Sequence, residues 1–304
     1  MTTHHQHHHH QQEPHDEKSL VRQKVWTSLL SVALPDSRHH YDFSSFIPDF
    51  AGSLDAISRL VDLEIYRTST TLFITPDNCL ESLRLQALKD GKTILMTTYG
   101  IRRGFWVLDP SSVPDNSYAL AATLDGMERF GRHVKLSEIA DALARQHPDI
   151  SSTSASASAK LGLGQRETKI PLLITGTGAI NTSGIRFGKG HGFFDLEWSM
   201  LYCVGLVCPQ ESVTVAVVHD CQVLDEDLTP EEFDTVCDFV VTPSRVISVQ
   251  TDVHVDLDAG RGRGHGHERD VQKVQKPTCG ILWDKLQPGM MEDIPPLREL
   301  RSMV

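Results

Sequence analysis

Gly184-Ile-Arg-Phe-Gly-Lys-Gly-His-Gly-Phe-Phe-Asp-Leu-Glu-Trp198 sets Gly184, Gly188, Gly190 and Gly192 around Arg186 and Lys189, then closes on two aromatic residues and Asp195. Glycines let a backbone enter the left-handed region and approach a ligand closely. Successive N–H groups in such a loop form an anion-binding concavity. Arg186 and Lys189 add positive charge where a phosphate would lie, and Asp195 is a candidate ligand for the magnesium that accompanies a nucleotide. No Gly-Lys-Ser/Thr follows at Walker spacing, and Gly188-x-Gly190-x-Gly192 lacks the spacing of a dinucleotide fingerprint. The plain alternative is a glycine-rich surface loop with incidental charges.

Outward from this loop the chain alternates buried strands and helices. Thr71–Thr75, Thr93–Thr98, Ile170–Thr175, Thr214–Val218 and Phe239–Thr242 are short β-branched or aliphatic runs bounded by Pro, Asp or Gly, and read as strands. Lys18–Leu34 reads as a helix with Leu20, Val21, Val25, Leu29 and Leu30 on one stripe and Trp26 at its border. Further helices are expected at Leu54–Val61 with Ser53 as cap, Leu80 to Gly91, Leu136–Gln146 and Leu196–Val207. Strand, helix, strand at this spacing implies a parallel sheet. The expected fold is therefore α/β, a mostly parallel sheet with helices on both faces.

The chain has 304 residues, a formal net charge of −11, and six cysteines with no CxxC pair. This charge argues against nucleic-acid binding by the whole surface. The cysteine pattern fits a reducing compartment, and Cys203 and Cys208 read as small core residues. No apolar stretch is long enough to span a bilayer and no apolar leader is present, so a cytoplasmic protein is expected. Residues 1–17 form a His/Gln-rich tail, read as disordered and left out of the fold. One domain follows, 18–304, with flexible insertions near 151–169 and 255–275. Gly260–His267 alternates Gly with Arg or His, so nucleic-acid contact there stands beside the flexible-loop reading. Trp283 and Leu286 are expected to dock the tail onto the core. His219 and Cys221 invite a thiol reading, but no third partner is evident.

Arg186-Phe-Gly-Lys-Gly-His-Gly-Phe-Phe-Asp195 resembles, without a gap, the Arg-Leu-Gly-x-Gly-x-Gly-Tyr-Tyr-Asp signature of the 5-formyltetrahydrofolate cyclo-ligases (methenyltetrahydrofolate synthetases). Asp195-Leu-Glu197, His219–Val223 and the Gly-Ile-Leu-Trp tail at Gly280–Trp283 resemble most the methenyltetrahydrofolate synthetase domain-containing branch. The likeness runs from about Lys18 to Leu300. It implies the fold shared with sugar-phosphate isomerases and CoA transferases. The implied activity is ATP- and Mg2+-dependent conversion of 5-formyltetrahydrofolate, a reduced folate, to 5,10-methenyltetrahydrofolate. The alternative is a non-catalytic relative that binds nucleotide or RNA. A phosphosugar isomerase fits the fold but lacks its own motif.

The resemblance also implies roles. Lys18-Ser-Leu-Val-Arg22 matches a Lys-x-x-x-Arg pair placed near the nucleotide phosphates. Arg186 would stabilise phosphoryl charge while Gly188, Lys189, Gly190 and Gly192 wrap the phosphates. Asp195 would hold magnesium, with Asp238, in Cys237-Asp-x-x-x-Thr242, as a second acid. Phe193 and Phe194 replace the signature's tyrosines, keeping the rings for ligand stacking and losing the hydroxyls.

Overall fold

The computed structural model describes residues 14–139, 169–249 and 275–303. The expected insertion at 151–169, apart from Lys169, the basic segment 260–267 and most of the tail 1–17 lie outside the described residues.

All five expected buried runs are strands. They are β1 (Thr71–Ile74), β2 (Thr93–Thr97), β5 (Leu172–Thr175), β8 (Val213–Val217) and β10 (Phe239–Val241). Their order is β10-β8-β5-β1-β2, every neighbouring pair parallel. Antiparallel strands extend both edges: β3 (Phe105–Leu108) and β4 (Arg132–Val134) beyond β2, and β11 (Val246–Ser248) beyond β10. A second, smaller sheet joins β7 (Arg186–Phe187), β6 (Ala179–Asn181) and β9 (Val223–Leu224).

The central strands are apolar throughout because both faces are covered. Leu72 and Ile74 of β1, Ile94 and Met96 of β2, and Val213, Val215 and Val217 of β8 enter one core. The helices Ser53–Val61 and Glu81–Lys89 contribute Ala56, Ile57, Leu60, Leu83, Ala87 and Leu88 to it. Phe73, Leu95 and Leu173 point the other way, against Phe194, Trp198 and Leu201 of the helix Phe193–Cys203 and Leu297 and Leu300 of the helix Pro295–Met303. This is the period-two alternation of a strand between two helical layers.

Several boundaries differ from expectation. The first helix runs Pro14–Leu29, so it takes in the last residues assigned to the tail and stops before Leu34. Its buried stripe is Val25 and Leu29, while Leu20 and Leu30 face solvent. Two residues on a long helix suffice here because the helix covers the small sheet rather than the main one. The helix at Ser53 is entered through Gly52 at φ 84°, with no side-chain cap from Ser53. The helix after the glycine loop starts at Phe193, three residues before the expected Leu196. Leu136–Ile139 begin a helix as expected. Cys203 is exposed and Cys208 half-buried, so neither is a core residue; Cys79 and Cys237 are the buried thiols.

The C-terminal tail docks as expected. Trp283 and Leu286 pack on the second core, and Trp198 Nε1 donates to Pro277 O at 3.0 Å. Deeper in, Lys276 Nζ lies 2.5 Å from Asp238 Oδ2 with both side chains buried, and donates to Ser212 O at 2.9 Å. Asp238 Oδ2 also accepts from Thr214 N at 2.7 Å. Deleting one partner of such a pair strands the other in low dielectric. Lys276→Ala should therefore lower stability in urea unfolding by about 3–5 kcal/mol, and Asp238→Leu combined with Lys276→Met should recover most of it. A negligible loss in the single variant would show that the tail is not held by this pair.

Candidate active site

Parallel strands leave their ligand crevice at their carboxyl ends. Here the ends of β1 and β5 continue into Thr75, Asp77 and Gly176, which line a cavity of about 420 Å³. The turn is braced from within. Asp77 Oδ2 accepts from Gly176 N at 2.8 Å and from Thr75 Oγ1. Fully buried Arg84 donates to Thr75 O at 2.9 Å, Asp77 O at 3.1 Å and Ala122 O at 2.8 Å, so it is a brace beneath the turn.

The glycine loop lies over this crevice, and every residue from Arg186 to Glu197 lines the cavity. Gly190 and Gly192 sit at φ 110° and 63°, where other residues are strained. Gly192 is the N-cap of the helix Phe193–Cys203, so the loop delivers free N–H groups and a helix N-terminus to the cavity. Gln287 of the tail donates to Gly190 O at 3.0 Å and anchors the loop.

Lys18, Arg22, Arg186 and Lys189 all reach the same cavity. Lys18 Nζ is 2.6 Å from Glu231 and 2.8 Å from Asp234. Burial opposes its charge, but those two carboxylates hold its pKa above the ordinary lysine value. Arg22 makes no ion pair among the described residues, and burial lowers its pKa. A Cβ on Gly190 would meet Arg22 Nη2 at 3.7 Å. Arg186 is buried and pairs with Asp195 Oδ1, with its guanidinium 4.5 Å from the Phe194 ring centre. Its Nε is buried without a partner among the described residues. Burial raises the Asp195 pKa despite the Arg186 charge, and Asp195 Oδ1 also accepts from Thr235 N at 2.8 Å. Lys189 Nζ donates to Ser45 O at 3.1 Å and stands over Tyr99 at 4.3 Å and Phe193 at 5.5 Å from the ring centres; burial lowers its pKa. His191 stacks on Phe193 at 5.2 Å.

Of the sequence-derived site residues, Lys18, Arg22, Arg186, Gly188, Lys189, Gly190, Gly192, Phe193, Phe194 and Asp195 converge on one cavity. Asp238 is not brought to it. It lies on the sheet at the start of β10, bound to Lys276 and Thr214, and does not line the cavity. His219 is also not among the lining residues; its Nδ1 accepts from Cys221 N at 3.2 Å, so the pair forms a turn cap rather than a nucleophile and base.

Sequence reasoning missed Tyr99, Glu231, Asp234 and above all Glu197. Glu197 is 2% exposed, accepts from Thr97 Oγ1, and makes no ion pair among the described residues. Burial, with Asp77 and Asp195 nearby, pushes its pKa up to about 8. Its signal was available: Glu197 lies four residues after Phe193, so a helix begun at Phe193 puts both on one face.

The chain belongs to the 5-formyltetrahydrofolate cyclo-ligase family, which it matches over residues 14–243. It is 30% identical over 292 residues to the methenyltetrahydrofolate synthase domain-containing protein of Homo sapiens, covering 94% of this chain and 61% of that protein. The Danio rerio protein of the same name is 29% identical over 290 residues, covering 93% and 61%. The chain thus spans about three fifths of the length of these relatives. Among solved structures it resembles the 5,10-methenyltetrahydrofolate synthetase of Aquifex aeolicus, with 17% identity, a TM-score of 0.42, and coverage of 82% and 97%. No helix among the described residues is long and apolar enough to cross a membrane.

Glu197 gives this site a pH signature. Its carboxyl titrates near 4.5 when solvated and near 8 in the folded protein, so the folded state binds more protons between these values. Stability must fall as pH rises through that window. Glu197→Gln should match the wild type near pH 4.5 and exceed it in melting temperature by a widening margin up to pH 8.5. Parallel melting curves across the range would show a carboxylate ionised at no cost.

Proposed function

We propose that the protein is an ATP- and Mg2+-dependent ligase that converts 5-formyltetrahydrofolate to 5,10-methenyltetrahydrofolate. The observation that carries the reading is the convergence of four cationic side chains and a glycine-delivered helix N-terminus on one cavity at the carboxyl edge of a parallel sheet. Membership of the cyclo-ligase family and the names of the relatives support it. The same reading groups the sheet with those of sugar-phosphate isomerases and CoA transferases.

The residues fit a polyphosphate. Gly188 and Gly190 lie beside the guanidinium groups of Arg186 and Arg22, and the φ of 110° and 63° at Gly190 and Gly192 is what calls for glycine in the loop. In this reading Gly188, Gly190 and Gly192 cradle the phosphates, and Lys18 and Arg22 hold them from the first helix. The orphaned Nε of Arg186 is a donor held ready at the loop. Arg186 and Thr235 N both take Asp195 Oδ1, so its Oδ2 would be the oxygen to hold magnesium, which would draw charge off the transferred phosphoryl group. Phe193, Tyr99 and Lys189 form an aromatic and cationic wall suited to a flat reduced folate. Transfer of a phosphoryl group to the formyl oxygen, followed by ring closure, releases ADP and phosphate. The protein's part is positioning and charge stabilisation.

The test is the absorbance of methenyltetrahydrofolate formed from 5-formyltetrahydrofolate with ATP and magnesium. Arg186→Ala is a poor control because it leaves Asp195 buried and unpaired. Arg22 is free of that burden, so Arg22→Ala should lower kcat/KM by about 100-fold or more with an unchanged melting temperature. ATP binding without turnover on any folate would replace this reading with that of a nucleotide-binding module.

A further inference from the structure

We propose that Glu197 reads the substrate in this cavity, its carboxyl accepting from two adjacent N–H donors on the edge of a flat, amidine-bearing nitrogen heterocycle. The inference rests on the folate reading above and names the part of that ligand which Glu197 recognises, since a reduced pterin carries such an edge.

The other buried acids among the described residues, Asp36, Asp234 and Asp238, each have a cation, as does half-buried Asp195. Asp195 is matched by Arg186, and Asp238 by Lys276. A carboxyl kept only for structure is matched in this way, because burying it alone is costly. Glu197 is equally buried and has no ion-pair partner among the described residues. The nearby cations are committed elsewhere, Arg186 to Asp195 and Lys189 to Ser45 O. Its one hydrogen bond comes from the Thr97 hydroxyl to Oε1, while Oε2 has no partner among the described residues and the side chain lines the cavity. Thr97, fully buried in β2, fixes the rotation of the carboxyl and leaves Oε2 and the second lone pair of Oε1 for a ligand.

The replaced tyrosines point the same way. Phe193 and Phe194 present only rings to the cavity, one stacked on His191 and the other under Arg186. Neither has a hydroxyl to orient a flat ligand in its plane. Glu197 follows on the same helix and supplies the missing direction. Once the carboxyl has released its proton to solvent on binding, its two oxygens match two parallel N–H groups, the geometry that makes guanidinium–carboxylate pairs directional. Asp77 is an inferior candidate, because two donors, Gly176 N and Thr75 Oγ1, fill its Oδ2, whereas a single donor holds Glu197.

The experiment is calorimetric titration of the full chain with Mg-ATP, with 5-formyltetrahydrofolate, and with an analogue carrying a methyl group in place of the ring 2-amino group. Wild type should bind the analogue about tenfold more weakly or worse, since a buried acceptor loses its donor. Glu197→Gln should bind the natural folate about tenfold more weakly, lose most of the discrimination, and keep its Mg-ATP affinity. Equal binding of the two folates by wild type overturns the inference without any variant. Discrimination retained in Glu197→Gln also overturns it, and leaves the folate reading standing. Wild type that binds Mg-ATP but no reduced folate removes the folate reading, and this inference falls with it.

Discussion

The buried pair of Arg186 and Asp195 is the constraint on which the site depends. Arg186 opens a short strand of the small sheet, and Asp195 lies in the first turn of the helix that follows. Between them are the glycines, none of which could hold a fixed path alone. The ion pair closes that loop at its base. The same carboxylate oxygen takes Thr235 N, which ties in the segment carrying Glu231 and Asp234. Three pieces of backbone distant in sequence therefore meet at one carboxylate. Such a pair is costly to bury and is repaid by geometry more than by net stability. Its acid also sits where a helix N-terminus favours negative charge.

The central sheet was legible because its strands are buried on both faces. A run such as Thr71–Ile74 has no polar face, and length with flanking Pro and Asp distinguishes it from a helix. Strands β6, β7 and β9 are two or three residues long and join only one another, so no local period announces them. Their pairing is a tertiary event. The glycine loop was legible as chemistry because Gly, Arg and Lys crowd into a dozen residues. Asp238 was misplaced for the opposite reason. A single acid before an apolar run reads alike whether its strand ends in a cavity or in a core, and its partner Lys276 lies far along the chain. Glu197 escaped notice because starting the helix three residues late hides the face it shares with Phe193.

The electrostatics of the cavity follow from an acidic chain building a cationic site. With a net charge of −11, this protein cannot rely on its overall field to draw in an anion. It concentrates positive charge locally and then covers much of it with its own acids: Arg186 with Asp195, and Lys18 with Glu231 and Asp234. Arg22 is left without an ion pair among the described residues. Under the proposed function an incoming polyanion would first meet Arg22 and the loop N–H groups. It would gain Lys18 only by displacing Glu231, which is exposed, and Asp234, which is buried. Displaced Glu231 recovers hydration at little cost, whereas parting Lys18 from buried Asp234 costs more. Arg186 is the most deeply held of these cations, its side chain 4% exposed and its partner Asp195 at the cavity wall 12%. The site thus divides into a pair that shapes the loop, Arg186 with Asp195, and a cluster at the first helix, Lys18 with Glu231 and Asp234. That division explains how a chain with excess acid keeps a cation-lined cavity folded when no ligand neutralises it.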